Sequence, residues 1–279
     1  MLAGMTTNQV PWDSTVGALD AALGPDRRWS TWGAVERGAR GPEPRPDWVV
    51  TADAAVDTEL GVLKTGKEAD VFLVERGVPD GASSLLAAKR YRSPDHRQFH
   101  RSSAYTEGRR VRRSRDQRAL DRGTAHGRSV AAGQWARAEF EMLSSLWAQG
   151  ASVPYPVQVD GTEVLMEFVG SRDGVAAPRL AQTRPDGSTL SRWYEQVRAV
   201  MVVLAADGFA HGDLSPYNVL ADGDRVVVID VPQAVDLAAN PNAHDILYRD
   251  CRTMGDWFRS RGLDVDDGEL FADLLSRAW

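Results

Sequence analysis

The sequence predicts an α+β fold in two lobes, a small β-rich lobe followed by a mainly helical one. Two apolar strand-like runs, Asp70–Glu75 and Ser84–Tyr91, lie early in the chain on either side of a turn-rich hexapeptide, Arg76–Gly81. Helical periodicity is confined to the later stretches Ala131–Gln149, Ser188–Ala206, Ala243–Arg261 and Leu270–Trp279. Strands grouped first and helices afterwards indicate α+β architecture, and 279 residues suffice to bury a substantial core.

Taken in order, residues 1–47 are punctuated by Gly24-Pro25 and Gly41-Pro-Glu-Pro-Arg-Pro46 and read as a partly irregular extension. Residues 48–168 make the first lobe, with an arginine-rich insertion at 92–130, and residues 169–279 make the second. Gly61–Ala69, just before the first strand, reads as a loop of small residues able to lie over phosphates. Lysine is scarce: Lys64, Lys67 and Lys89 are the only three among 33 basic residues, and all fall in this stretch. A compact ammonium suits phosphate as a point charge, which gives a reason for lysine to persist here in an arginine-biased chain; solvated surface lysines are the plainer alternative. Along Ala131–Gln149, Trp135, Ala138, Met142 and Leu146 recur at helical spacing, Gly150 offers a stop, and Glu139 lies beside the stripe, placed to pair with Lys89. Ser188 or Thr189 can cap the next helix, whose buried stripe is Leu190, Val197, Val200, Met201 and Leu204, and Asp207-Gly208 ends it. Asp250, in the helix after that, is placed either to brace a loop backbone or to pair with Arg249 at the surface.

Between these helices lies the most informative segment, His211-Gly-Asp-Leu-Ser-Pro-Tyr-Asn218, followed by the short apolar strand Val226-Val-Val-Ile-Asp230. Asp213 and Asn218 match the D-x-x-x-x-N spacing used to move the terminal phosphate of ATP, and Asp230 supplies a second carboxylate at a strand end. Such transfer needs an acceptor hydroxyl held in line and hard oxygen ligands for a metal that bridges the phosphates. Asp213 suits the first task, Asn218 and Asp230 the second. Taken singly, these residues are equally at home as turn and cap residues. Gly61-x-x-x-x-Gly66-Lys67 nearly spells a different phosphate loop, the Walker A motif, but Glu68 stands where that motif needs Ser or Thr on the metal.

These pieces, in this order, resemble the atypical RIO protein kinases. The likeness rests on Thr65-Gly-Lys-Glu-Ala69, Ala88-Lys89, Trp135-Ala-Arg-Ala-Glu139-Phe, His211-Gly-Asp-Leu-Ser-x-Tyr-Asn218 and Ile229-Asp-Val-Pro-Gln233, and covers roughly residues 48–262. It implies a two-lobed protein-kinase-like fold and an ATP-dependent serine/threonine kinase or ATPase using Mg2+ or Mn2+, with a protein, or itself, as acceptor. It further implies that Thr65, Gly66, Lys67, Glu68 and Ala69 form the phosphate loop and that Lys89, paired with Glu139, contacts phosphates. Asp213 would be catalytic and Asn218 and Asp230 would bind metal. The backbone of Met166, Glu167 and Phe168 would receive adenine, with Met166 at the rear of the pocket. His211-Gly-Asp and Asp230-Val-Pro depart from the His-Arg-Asp and Asp-Phe-Gly of ordinary protein kinases as RIO members do, and Pro216 stands where the family would have an acidic residue. The broken 1–47 segment does not suit a winged helix, which points to the shorter, bacterial-type branch.

Two rival functions share parts of this pattern. Small-molecule phosphotransferases of the aminoglycoside-kinase type also use His-Gly-Asp and an Ile-Asp strand, but the stretch after Asp230 leaves little room for their substrate-binding insert. A nucleotide-binding scaffold without turnover would not need every ionisable part. The net charge of −6 hides an asymmetry, since Arg92–Arg128 holds 11 arginines against four acids, +7, leaving −13 elsewhere. That block is open to three readings: the mobile, phosphorylated insertion that the RIO resemblance implies, with Ser102, Ser103, Thr106 and Ser114 as candidate sites; an RNA or ribosome contact; or a segment resting on the chain's own acidic surface. Only Phe99 and Tyr105 interleave its charges, which is thin for base stacking. One cysteine, Cys251, rules out an internal disulfide, and with no membrane span or secretion signal the expected location is the cytoplasm.

Overall fold

A computed structural model of the chain describes residues 23–79, 81–92, 125–231 and 234–278. Within these, six strands form one antiparallel sheet in the order β1-β2-β3-β4-β6-β5: β1 (Arg27–Trp29), β2 (Val56–Thr65), β3 (Ala69–Gly77), β4 (Ser83–Tyr91), β5 (Pro156–Asp160) and β6 (Glu163–Glu167). Helix α1 (Ala125–Ala148) packs on one face of this sheet. The second half carries α2 (Gly187–Ala206), α3 (Ala243–Arg259) and α4 (Asp267–Arg277) around two small ribbons. These pair β7 (Phe209–Ala210) with β10 (Val235–Asp236), and β8 (Val219–Asp222) with β9 (Arg225–Val228). The arrangement is the two-lobed, kinase-like α+β fold read from the sequence. The arginine-rich insertion, its candidate phosphorylation sites and Gln233 lie outside the described residues.

Alternation in β3 and β4 sorts the small lobe into two layers. Val74, Leu86 and Ala88 join Phe72 on one face and pack with Trp32, Tyr155, Val157 and Leu165. Tyr91, Ala69, Val164 and Met166 take the other face and merge with α1 and the helices of the second lobe. Trp32 comes from the segment read as an irregular extension, and this segment also supplies β1, which pairs with Val56–Thr58. On the same face as Val74, Arg76 is fully buried and forks onto Asp57 at 2.6 and 2.9 Å, while Gln158 takes a third bond at 2.8 Å.

Three local expectations are revised and a fourth holds. Gly61–Thr65 is the end of a strand rather than a loop, and the turn is only the three residues Gly66–Glu68. The strand survives its glycine because Gly61 sits at a bulge with φ of 145°. The buried face of α1 is Ala132, Ala136, Glu139, Phe140, Leu143 and Leu146, so that of the expected stripe Leu146 is buried while Trp135, Ala138 and Met142 are only partly so, and a carboxylate stands in the buried seam. Helix α2 is capped by Asp186, which accepts from the Thr189 amide at 2.7 Å. Gly150 does end α1, in a paired closure where Gly150 donates to Trp147 and Ala151 to Leu146.

Removing one partner of a buried, forked ion pair strands the other charge, at a cost of about 3–5 kcal/mol. Asp57→Ala should therefore lower the urea midpoint by an amount corresponding to that loss, with the slope of the transition unchanged.

Candidate active site

Strand β4 delivers Lys89 to the layer between the lobes. Its ammonium lies 2.6 Å from Glu139 of α1 and 2.8 Å from Asp230, which follows β9. Burial disfavours the charged amine, but the two carboxylates outweigh it and raise the Lys89 pKa. Burial likewise pushes the Asp230 carboxyl up, and Lys89 more than reverses this, holding it below the usual range. The other oxygen of Glu139 accepts from the Tyr91 hydroxyl, so this buried carboxylate is held from two sides. Burial and the adjoining Glu139 raise the Tyr91 phenol well above its ordinary value, which keeps it a donor. Tyr91 was not singled out from the sequence, although its place two residues beyond Lys89 puts it on the same strand face.

Asp230 is the only non-glycine residue with positive φ among the described residues, at 67°. Aspartate tolerates this left-handed region better than most side chains, and the bend turns its carboxylate back toward Lys89. The preceding segment is fixed by His211, whose Nε2 lies 3.3 Å from the Ile229 carbonyl, while Nδ1 accepts weakly from the Asp213 amide at 3.4 Å. That pair of partners requires a neutral ring with its proton on Nε2. Burial lowers the His211 pKa and so favours the same state.

The loop Gly212–Asn218 is held from behind. Asp250, 1% exposed, accepts from the Gly212 amide at 2.7 Å and the Leu214 amide at 3.2 Å. The bracing role is thus realised, and Arg249 instead donates to the Gly212 carbonyl. Gly212 has a φ of 87°, a conformation that explains glycine between His211 and Asp213. Asn218 donates to the Asp213 carbonyl at 2.9 Å and to its carboxylate at 3.2 Å, and the Asn218 carbonyl accepts from the Ile229 amide at 2.9 Å. Asp213 and Asn218 are thereby tied to each other and, through Ile229, to Asp230. Asp213 alone of these is exposed.

The remaining sequence-derived residues fall around this centre. Thr65, Lys67 and Glu68 are exposed at the β2–β3 turn, Gly66 donates to the Ala69 carbonyl at 3.0 Å, and Ala69 is buried. A side chain at Gly66 would meet that carbonyl at 2.7 Å, so the turn requires glycine. Met166 stands opposite Ala87 on β4, two residues from Lys89. The Glu167 side chain is committed elsewhere: it takes two bonds from Arg225, at 2.6 and 3.2 Å, and one from the Tyr155 amide. Among the described residues no three His, Cys, Asp or Glu side chains gather into a metal cage.

The family described as the RIO domain matches residues 82–270. The chain belongs to the RIO family. The RIO-type serine/threonine-protein kinase Rio1 of Haloferax volcanii is 36% identical over 219 residues, covering 78% of this chain and 69% of that protein. The serine/threonine-protein kinase RIO1 of Chaetomium thermophilum is 30% identical over 214 residues, covering 74% of this chain but only 40% of its own length. In fold, the chain is similar to the Rio2 kinase of Chaetomium thermophilum, solved as an ADP/Mg2+-phosphoaspartate complex, with a TM-score of 0.54 over 78% of this chain and 62% of that one at 22% identity. This RIO chain is an ATP-dependent phosphoryl-transfer enzyme of the serine/threonine-kinase type. The aminoglycoside-kinase alternative is not favoured.

Burial raises the Asp250 carboxyl to about 6, although the Gly212 and Leu214 amides pull it down. A carboxyl whose folded pKa exceeds its unfolded value of about 4 stabilises the fold most below that value, and the contribution is lost as pH rises through the folded pKa. The stability advantage of the wild type over Asp250→Asn should thus be largest at the acid end and shrink as pH rises through about 6. Urea midpoints measured across this interval test it, and a widening gap would contradict the assignment.

Proposed function

We propose that the chain moves the terminal phosphoryl group of ATP onto a serine or threonine hydroxyl, of a protein or of itself, with water as the acceptor when it acts as an ATPase. Asp213 orients the acceptor hydroxyl and takes its proton, as its exposure next to a fixed loop suits. Lys89, held by Glu139, contacts the nucleotide phosphates. The turn Thr65–Gly66–Lys67–Glu68–Ala69 covers them, and the backbone from Met166 through Phe168 receives the adenine. The observation that carries this reading is the convergence of Lys89, Glu139 and Asp230 within 2.6–2.8 Å from three separate elements.

The donor set suits Mg2+, or Mn2+ in its place. The Asn218 amide nitrogen is spent on Asp213, which leaves its oxygen for a cation, and only one Asp230 oxygen is taken by Lys89. Mg2+ is ordinarily held by one or two protein oxygens together with substrate phosphates, so no all-protein cage is needed. When bound, the metal supplies charge neutralisation between the phosphates. The arginine-rich insertion offers a contact to RNA or the ribosome in the same reading, and the buried, unpaired Cys251 thiol, with its pKa pushed up to about 12 by burial, suits a reducing cytoplasm.

With labelled ATP and Mg2+, the purified chain should label itself or release phosphate, and Asp213→Ala should lower this rate by at least about 100-fold with nucleotide affinity nearly intact. Wild-type turnover in that variant would remove Asp213 from the mechanism. Asp230→Ala should instead weaken ATP binding in the presence of Mg2+ but not in EDTA, a contrast readable by calorimetry.

A further inference from the structure

Lys64 lies outside the side chains given a role above, yet the sheet sets it in the same row as Lys89. Lys64 of β2 stands opposite Val71 of β3, and Val71 stands opposite Lys89 of β4. Residues paired directly across a sheet project from one face, so Lys64 shares the face on which Lys89 meets Glu139 and Asp230. A bulge is responsible. Val62 pairs with Phe72 and Lys64 with Val71, so Leu63 is the extra residue between them. In an unbroken ladder Leu63 would oppose Val71, and Lys64 would oppose Asp70 on the other face.

Its charge is also uncommitted. Lys64 is exposed and makes no ion pair among the described residues, whereas Lys89 already faces two carboxylates. Lys64 nonetheless reaches Asp230 electrostatically, adding to the stronger pull of Lys89 on that carboxyl. Lysine's long stem lets two ammonium groups set about 10 Å apart at their backbones converge on one polyphosphate. The strand order gives direction: Met166–Glu167 end β6, Lys89 lies on the neighbouring β4, and Lys64 lies two strands further on. A nucleotide with its base at β6 and its first phosphates at Lys89 would extend its last phosphate toward Lys64.

We propose that Lys64 is a second phosphate-binding cation that contacts the terminal phosphoryl group of the nucleoside triphosphate and so favours ATP over ADP. This rests on the phosphoryl-transfer site proposed above. Calorimetry of the full chain with Mg2+ and either nucleotide tests it. Lys64→Met should weaken ATP about tenfold and ADP by less than about twofold, while Lys64→Arg should recover most of the ATP affinity. Equal affinities for wild type and Lys64→Met, or equal losses for ATP and ADP, would overturn the proposal. Lys89→Met separates the two levels of inference: if it too leaves nucleotide binding unchanged, the site itself is misassigned, whereas its loss of binding beside an unaffected Lys64→Met removes Lys64 alone.

Discussion

The ammonium of Lys89 sits where a strand of the small lobe, the helix α1 and the segment after β9 meet, and it ties these three together beside the apolar core that the lobes share. Two carboxylates face this one cation, so the cluster carries an excess negative charge in a setting with little water to screen it. Burying such groups is costly unless each is well paired, and here Tyr91 and Lys89 satisfy Glu139 from two sides. Asp230 is the partner that remains accessible, with 29% of its side chain exposed against 2% for Glu139. The exposed side of the cluster is therefore Asp230, while Glu139 holds Lys89 from the buried side.

Precision at the neighbouring loop has a different source. Asp213 faces solvent, where a side chain ordinarily wanders, but its backbone is fixed by groups that face inward. Asp250 takes the amides on either side of it, and His211 bridges from the loop to Ile229. The cost of burying Asp250, visible in its raised pKa, is offset by the two backbone donors it satisfies. An exposed carboxylate is thus positioned by buried polar residues, and the left-handed turns at Gly212 and Asp230 are held in place by the same bonds.

Much of this was legible in the sequence because it follows local rules. The strands at Asp70–Glu75 and Ser84–Tyr91 have the alternation that a sheet between two layers demands, and the stop at Gly150 is the backbone chemistry of glycine. The pairing of Lys89 with Glu139 was readable as charge complementarity between a strand end and a helix face. What escaped reading was set by tertiary contact. Glu139 lies on the buried face of α1 beside Ala136, Phe140 and Leu143, a face that a count of apolar periodicity does not pick out. The segment around Trp32, broken by proline and glycine, gives no periodic signal; its order comes from the sheet edge and the aromatic layer it covers. Bulges leave no mark on an alternation of two, so the strand character of Gly61–Thr65 was hidden.

The division between arginine and lysine connects frame and site. Arg76, Arg90, Arg225 and Arg259 each bind carboxylates through more than one nitrogen, and these pairs lock strand to strand, Glu167 to β9, and α3 to α4. A planar fork is suited to this because its geometry is satisfied once and then kept. At position 89 a guanidinium bridging Glu139 and Asp230 would hold the second carboxylate by a directional fork, which would compete with the cation in the metal role proposed above. An ammonium binds each oxygen through a single donor and rotates freely, so the bond from Lys89 to Asp230 is separable from its bond to Glu139. In a chain that uses arginine almost everywhere else, lysine at this position gives two single-donor contacts in place of one planar fork.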